Sequence, residues 1–305
     1  MIVPSVLTRY TPTAPRWVQQ WLGHSVAVKS LDQEIDALDF VGQVSYGDRF
    51  THATVRVPHA DVLPDLELEH ATSAAYLMIR RALEDGDAQH PVRFWNFIPG
   101  IVDAAAADGL DRYMVFNAGR FAEFSDWFSA ADRERLAPHI ATATGVGHMG
   151  SDLVVHCLAD RLPGRPIENP RQRAAYRYSE TYGPLPPCFA RATLVADDAR
   201  ADRRRVLVGG TSSILGEDSV HVGNLAEQTR ETLDNIEALL KEAGADGLEA
   251  LHDVRVYHVQ DHHGPAILEL VEQRLPHLVG RVEMVHAPLC RPDLGVEIEG
   301  MADAE

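Results

Sequence analysis

Two residues near the C-terminus have types and a spacing that suit acid catalysis. The stretch CRPDLGVEIEGMA (290–302) begins with Cys290 and carries Glu297 seven residues later, on a run that alternates like a strand. A strand carboxyl that faces a partly apolar cavity has a raised pKa and holds a proton at neutral pH, as a general acid must. The alternative is an edge strand with Glu297 and Glu299 facing solvent, and with Cys290 as a small buried side chain. The residues alone leave both interpretations open.

Two arginines in aromatic surroundings are candidates to bind a carboxylate. Arg191 lies in CFARAT and Arg120 in FNAGRF. Any single arginine is more often a surface charge, but an unpaired guanidinium among apolar residues is costly, so we expect a partner or a ligand for each. Tyr178 and Tyr182 are candidate phenol donors near the same site, although such tyrosines often only pack.

A small-residue segment supplies further candidates for ligand binding. Gly210, Thr211 and Ser212 are predicted to form a turn after a strand, which would bring backbone N–H groups to a ligand. The chain contains neither a G-x-G-x-x-G motif nor a Walker loop, so the segment does not indicate a nucleotide site.

The histidines give only a weak indication of a metal site. His258, His262 and His263 lie close together in YHVQDHHG, on a predicted strand and turn. They have no clear further ligand, and a helical H-E-x-x-H or facial-triad spacing is absent. We therefore expect neither a metal nor a cofactor.

The composition is that of a water-soluble, acidic chain. The 305 residues are 45% hydrophobic, and the formal net charge is −17. This charge disfavours a nucleic-acid partner, because phosphate binding needs a basic face. No run approaches the ~18–20 apolar residues of a membrane helix, and the first residues do not resemble a secretory signal. Three widely spaced cysteines give no disulfide framework, so we expect a cytoplasmic protein without a membrane partner.

The elements that must position these residues are strands and a few long helices. Hydrophobic periodicity predicts helices at 66–86, at about 111–130 and within 222–247. In the last of these, Asn224 begins a pattern that resembles a capping box, and Gly244 suits the C′ position. Both halves of the chain have strands in pairs followed by a helix, a pattern that predicts an α+β fold and not a Rossmann alternation.

A proline-rich segment predicts a division into two domains. RLPGRPIENPRQ (161–172) has the composition of a linker. We therefore place an N-terminal α+β domain at 1–160 and a C-terminal domain, which would carry the catalytic residues, at 161–305.

The second half resembles the RidA/YjgF family. The residues that carry this resemblance are GGTSSILGEDSVHVGNLAEQTRETLDNIEALLKEAGA (209–245), APLCRPDLGVEIEGMA (287–302) and YGPLPPCFARATLV (182–195). With PVRFWNFIPGI (91–101) and YMVFNAGR (113–120), the whole chain resembles the chorismatases, which add an N-terminal domain to the RidA fold. The resemblance therefore implies a mixed sheet packed by helices in the second half.

The resemblance also implies a reaction and roles for the candidate residues. Chorismatases remove the enolpyruvyl side chain of chorismate as pyruvate, without a cofactor, and their motif glutamate falls on Glu297 as the proton donor. A cysteine at the position of Cys290 is typical of the subtype that forms 3-hydroxybenzoate, in which it assists rearrangement to the aromatic product. Ser212 stands where the resemblance leads us to expect alanine or glycine.

Three functions stay open at this point. The first is conversion of chorismate to pyruvate and 3-hydroxybenzoate, and the second is hydrolysis to pyruvate and 3,4-dihydroxycyclohexa-1,5-diene carboxylate. The third, of another class, is a RidA-like protein that binds small acids or deaminates imines. RidA proteins are trimers, but a two-domain chain satisfies more of its surfaces internally, so we favour a monomer.

Overall fold

The first half of the chain folds around one large sheet. The computed structural model describes residues 12–304 except 24–25, 107–108, 131 and 197–203. Within these residues the first sheet contains β1 (Ala27–Ser30), β2 (Gln33–Ile35), β3 (Leu38–Tyr46), β4 (Phe50–Val57), β5 (His90–Pro99), β6 (Thr142–His148) and β7 (Leu153–Asp160). The helices of this half are α1 (Trp17–Leu22), α2 (Asp65–Glu84), α3 (Arg112–Trp127) and α4 (Arg133–Leu136).

The second half forms another sheet with two helices. Its strands are β8 (Arg165–Ile167), β9 (Ala192–Ala196), β10 (Arg204–Ser212), β13 (Leu251–His258), β14 (Glu283–His286) and β15 (Val296–Ala304), and β11 (Ile214–Leu215) and β12 (Asp218–Ser219) form a separate short hairpin. The helices are α5 (Leu225–Glu242) and α6 (Gly264–Arg274).

The two sheets share one topology. The first contains the order β4-β7-β5-β6 and the second the order β10-β15-β13-β14. The last strand of each half, β7 or β15, lies between two antiparallel neighbours. The pairs at the end of each order, β5–β6 and β13–β14, are parallel. This explains why the sequence pattern recurs in both halves. The predicted α+β class, with mixed sheets covered by helices, is confirmed.

Each sheet buries one face under its own helices. Helices α2 and α3 cover the first sheet, and α5 and α6 cover the second, in separate apolar clusters. The α5 boundaries follow the sequence signals. The Asn224 side chain accepts a hydrogen bond from Glu227 N at 3.2 Å, and Gly244 has a φ of +86° just past the helix end.

The opposite faces of the two sheets meet in a third apolar cluster. Trp95 and Phe97 of β5 pack there with Leu207 of β10, Tyr257 of β13 and Met301 of β15. Because the halves share this core, the division at residue 160 stays a prediction, although β7 ends at 160 and β8 begins at 165. Among the helices of the described residues, none has the length and apolar character that crossing a bilayer requires.

Candidate active site

A cavity opens at the seam between the two sheets. It has a volume of about 370 Å³, within the range of small-molecule sites. Strand β6 of the first half lies against β10 of the second at this point, and bridges join Thr142 to Ala190 and Val146 to Leu289. The lining comes from the start of α3, β6, β10, the segments 178–191 and 290–294, and the start of β15.

Glu297 enters this cavity because of strand alternation. Val296 and Ile298 belong to the apolar cluster under α5, so Glu297 and Glu299 point to the opposite face of β15. That face is turned toward the first sheet, and Glu297 is only 5% exposed. The interpretation of an edge strand with two solvent-facing carboxylates is therefore wrong: β15 is a central strand, between β10 and β13.

The surroundings of Glu297 favour its protonated form. Burial and the neighbouring charge of Glu299 raise the pKa of Glu297 to about 8. The Ser212 hydroxyl donates a hydrogen bond to Glu297 Oε2 at 3.4 Å, which opposes the rise. A Cβ at Gly210 would lie 2.0 Å from Glu297 Oε1, so only glycine leaves the carboxyl in its place. The site thus holds a carboxylic acid that is protonated at neutral pH.

Glu299 is buried in a polar network directly beneath the cavity. Its Oε2 accepts hydrogen bonds from Arg93 Nη2 at 2.7 Å and from Thr144 Oγ1 at 2.5 Å. Its Oε1 accepts from Trp95 Nε1 and Tyr257 OH, each at 3.1 Å. Arg93 and Glu299 are 1% and 2% exposed, so this ion pair joins the two sheets as a buried contact.

The segment Gly210 to Ser212 differs from the turn that the sequence predicts. It is the end of β10, where the pairing with β15 is irregular. Gly210 and Ser212 line the cavity, but Thr211 does not, since its hydroxyl donates to Gly209 O at 3.0 Å. The Gly210 N–H donates to Thr144 Oγ1 at 3.0 Å and is not directed to a ligand.

Cys290 lines the cavity as a neutral thiol. Burial, followed by the charge of Glu297, raises the pKa of Cys290 to about 12. A thiolate is therefore absent at neutral pH, and nucleophilic chemistry at this sulfur is disfavoured. Cys290 is partly exposed toward the cavity and packs against the apolar cluster of the first half.

Arg191 is a buried cation on the cavity wall. It is 3% exposed, and its Nη2 donates to Tyr178 OH at 2.5 Å and to Arg173 O at 3.0 Å. Its Nε is buried without a hydrogen-bond partner. The buried Glu168 is near enough for its charge to act on Arg191, but the unpartnered Nε leaves Arg191 donor capacity for an anionic ligand.

The structure does not bring Arg120 to the cavity. This residue is 1% exposed and lies in the core of the first half, where its Nη2 donates to Asn117 Oδ1 at 2.7 Å. Its guanidinium stacks over the rings of Phe116 and Phe189, at 5.3 and 6.0 Å. The sequence argument correctly required partners for a cation in aromatic surroundings, but these partners are internal.

A second cation on the wall, Arg291, is missed by the sequence analysis. Its guanidinium lies 3.9 Å from the ring centroid of Tyr182 and 5.3 Å from that of Tyr178. One of its nitrogens donates to Tyr182 OH at 3.1 Å and to Glu217 O at 2.7 Å. Tyr178 therefore contacts the guanidinium groups of both Arg191 and Arg291. The only sequence signal is that Arg291 directly follows Cys290.

The start of α3 contributes two more polar groups that the sequence analysis missed. Asp111 is the N-cap of this helix, and its Oδ1 accepts a hydrogen bond from Met114 N at 2.8 Å. Tyr113 lies against Gly145, where an added Cβ would come within 3.1 Å of the ring. Both side chains line the cavity. The signal that could have indicated them is the Asp-Arg-Tyr helix start, which precedes the YMVFNAGR motif.

Two other cavities suit a small acid less well. One, of about 490 Å³, is lined by Arg93, Arg255, Glu283 and Glu299, whose charges pair with one another. A second, of about 1170 Å³, lies on the face of β3, β4 and β7 that is opposite to α2. The described part of the chain contains no group of three or more histidine, cysteine or acidic side chains placed to hold a metal ion.

Comparison with known proteins identifies the family. Residues 37–159 match the family described as chorismatase FkbO/Hyg5-like, N-terminal. A 3-hydroxybenzoate synthase from Streptomyces hygroscopicus is 33% identical over 301 residues, which are 95% of this chain and 82% of the relative. A chorismatase from Streptomyces rapamycinicus is 35% identical over 219 residues, which are 68% of this chain and 63% of the relative.

A solved structure agrees with these matches. The crystal structure of a chorismatase superposes with a TM-score of 0.70 and 26% identity, and covers 89% of this chain and 78% of that one. The fold and the seam cavity define an α+β protein with a buried acid and two cations. This chain belongs to the chorismatase family, and the resemblance stated from the sequence is confirmed.

Proposed function

We propose that this protein converts chorismate to pyruvate and 3-hydroxybenzoate, with Glu297 as the proton donor. The observation that carries the proposal is the carboxylic acid Glu297, buried and protonated at neutral pH, in a cavity whose wall also holds the cations Arg191 and Arg291. Chorismate carries two carboxylates and an enol ether, so it needs both kinds of group. The curated relative named 3-hydroxybenzoate synthase matches most of this chain.

The two guanidinium groups would bind the two carboxylates of the substrate. Arg191 and Arg291 lie 5.6 and 5.3 Å from the centroid of the Tyr178 ring, and Tyr182 supports Arg291 through a hydrogen bond and ring contact. Arginine forms bidentate, charge-assisted hydrogen bonds with carboxylates, and these are strongest where water is excluded. In a chain of net charge −17, such local cations are what makes binding of a dianion possible.

Glu297 would protonate the methylene carbon of the enol ether. This step converts the ether to an oxocarbenium ion, and the carboxylate that Glu297 becomes lies near the new positive charge. Pyruvate and 3-hydroxybenzoate together contain the same atoms as chorismate, so this route takes up no water. Cys290 would act as a neutral thiol that shapes the cavity and assists the rearrangement to the aromatic acid.

The second candidate product is the dihydroxycyclohexadiene carboxylate, whose formation takes up one water. The relative named chorismatase is 35% identical to this chain and the synthase is 33% identical, so sequence identity does not decide between the two products. Incubation of the protein with chorismate, followed by HPLC of the acids and an assay of pyruvate, distinguishes the two. An aromatic acid supports the first product, a diene acid supports the second, and unchanged chorismate refutes both.

A variant tests the proton donor directly. Glu297→Gln keeps the shape of the side chain but cannot deliver a proton, so we expect pyruvate release below about one tenth of the wild-type rate. General acids typically raise reaction rates by about 10²–10⁴-fold, so the loss can be larger than tenfold. Glu283→Gln, on the edge strand β14, is the matched control. A Glu297→Gln protein that retains more than about a tenth of the rate contradicts the role of Glu297.

We further propose that the protein is a cytoplasmic monomer. Its seam cavity is lined by residues of both halves of one chain, so binding does not require a second copy. Light scattering of the purified protein tests the monomer, and fractionation of the producing cells tests the location.

A further inference from the structure

Formation of an aromatic acid requires a step that protonation by Glu297 does not supply. A hydrogen must leave the ring carbon that keeps its oxygen, C3, while the neighbouring carbon, C4, loses its oxygen. This inference rests on the proposed function, because only the 3-hydroxybenzoate product needs the step. A base must therefore be present in the cavity in addition to the acid.

Cys290 does not meet this requirement. Its thiol has a pKa of about 12, because burial and the nearby charges of Glu297 and Asp111 disfavour the thiolate. Glu297 is a carboxylate after it has protonated the methylene, but it then faces the side chain of the substrate and the new positive charge. Asp293 also lines the cavity, but it is exposed, and its Oδ1 accepts a hydrogen bond from Ser219 Oγ at 3.1 Å.

Asp111 has the position and the environment of a base. It enters the cavity from α3 in the first half of the chain, whereas Glu297 enters from β15 in the second half. A ring bound between them presents different atoms to the two carboxyl groups. Burial raises the pKa of Asp111, which makes its carboxylate a stronger base, and the amides of Met114, at 2.8 Å, and Tyr113 oppose this rise. The N-cap geometry also fixes the carboxylate in one orientation.

We propose that Asp111 is a further catalytic residue, the base that removes the ring proton at C3 during aromatisation. The C4 hydroxyl first adds to the oxocarbenium carbon and gives its proton to the Glu297 carboxylate, which forms a cyclic ketal. The C4–O bond then breaks with its electrons on the oxygen, which stays on the carbon that becomes the pyruvate carbonyl. The C3–H electrons form the last ring double bond, and the proton moves to the Asp111 carboxylate. Asp111 then returns the proton to the oxygen on C3 as this oxygen separates from pyruvate. The step needs no oxidant, reductant or added water.

Asp111→Asn tests the proposal without removal of the helix cap. Asparagine caps helices about as well as aspartate, so the variant loses the base and keeps the fold. We expect 3-hydroxybenzoate formation to fall by about 100-fold or more and pyruvate release by less than about tenfold, with the diene acid as the new product. Asp132→Asn is the matched control, because Asp132 caps α4 at the protein surface through Arg135 N.

A second measurement separates a base from a structural role. With chorismate deuterated at C3, the isotope effect on 3-hydroxybenzoate formation should be larger in Asp111→Asn than in the wild type, because proton removal has become slow. Equal isotope effects, an unchanged product ratio, or an equal fall in both products would overturn the role of Asp111. If the wild type releases no pyruvate at all, the proposed function fails, and this inference fails with it.

Discussion

The charge of Glu299 should control the acid strength of Glu297, and the variant Glu299→Gln tests this. Glutamine has the shape of glutamate but removes the negative charge beside Glu297. It also leaves the Arg93 guanidinium, 1% exposed, without its ion-pair partner. Both changes disfavour the proton on Glu297, so they act in the same direction. The pKa of Glu297, about 8 in the wild type, should fall.

The size of this shift follows from strand geometry. Glu297 and Glu299 lie two residues apart on one face of β15, which separates them by about 7 Å. Two unit charges at about 7 Å in an effective dielectric of about 20 interact with roughly 2.4 kcal/mol, or about 1.7 pKa units. Because the reaction needs protonated Glu297, activity is lost as pH rises through its pKa. The alkaline limb of the rate profile should therefore move down by about 1 to 2 pH units.

The assay is kcat/KM for pyruvate release across the pH range, measured by quenching and HPLC. The reverse perturbation, Arg93→Met, breaks the same ion pair but leaves two carboxyl groups to share their protons. The last proton should then leave at higher pH, and the alkaline limb should move up. Glu227→Gln, which breaks the exposed Arg230 pair at the start of α5, is the control without a shift. If Glu299→Gln and Arg93→Met move the limb in the same direction, general damage explains both, and the electrostatic reasoning is refuted.

Three other perturbations have expected outcomes. Burial raises the pKa of Glu297 from 4.5 to about 8, so its contribution to the free energy of unfolding is full below pH 4.5 and is lost as pH rises through 8. At pH 8, Glu297→Gln should therefore be more stable than the wild type by several kcal/mol and should melt at a higher temperature. Near pH 4.5 this difference should vanish. Cys290→Ala should still release pyruvate but shift the product toward the diene acid on HPLC, and an unchanged ratio would exclude the thiol from the rearrangement. Gly210→Ala should lose more than about tenfold in kcat, since its Cβ would lie 2.0 Å from Glu297 Oε1; wild-type kinetics would contradict the close contact.

The parts of the fold that sequence predicts well are those with local signals. Helix α5 has a strong apolar periodicity, an asparagine N-cap and a glycine past its end, and its bounds follow these residues. The direction of Glu297 also follows from local information, because alternation along β15 determines its face. Whether that face meets solvent or another sheet is not a local property, so the residues alone favour the commoner solvent-facing interpretation, and only the family resemblance reverses this preference.

The residues that sequence reasoning misplaced depend on contacts between distant segments. Arg120 and Arg191 both follow aromatic residues, yet only Arg191 lines the cavity. Both guanidinium groups lie near the Phe189 ring, at 6.0 and 5.1 Å from its centroid, but Arg120 belongs to α3 and is held there by Asn117. Arg291 has no aromatic neighbour in the sequence, and its role depends on contact with Tyr182, 109 residues away. Local patterns do not encode such contacts.

The contact between the two sheets explains why Glu297, a proton donor of the second half, depends on residues of the first half. Thr144 of β6 accepts hydrogen bonds from Arg93 Nη2 at 2.6 Å and Gly210 N at 3.0 Å, and donates to Glu299 at 2.5 Å. This one hydroxyl fixes the backbone beside Glu297 and the carboxylate that raises the pKa of Glu297. A change in how the sheets meet would therefore alter acid strength before it altered substrate contacts. For that reason, the first half sets the acid strength of a proton donor that belongs to the second.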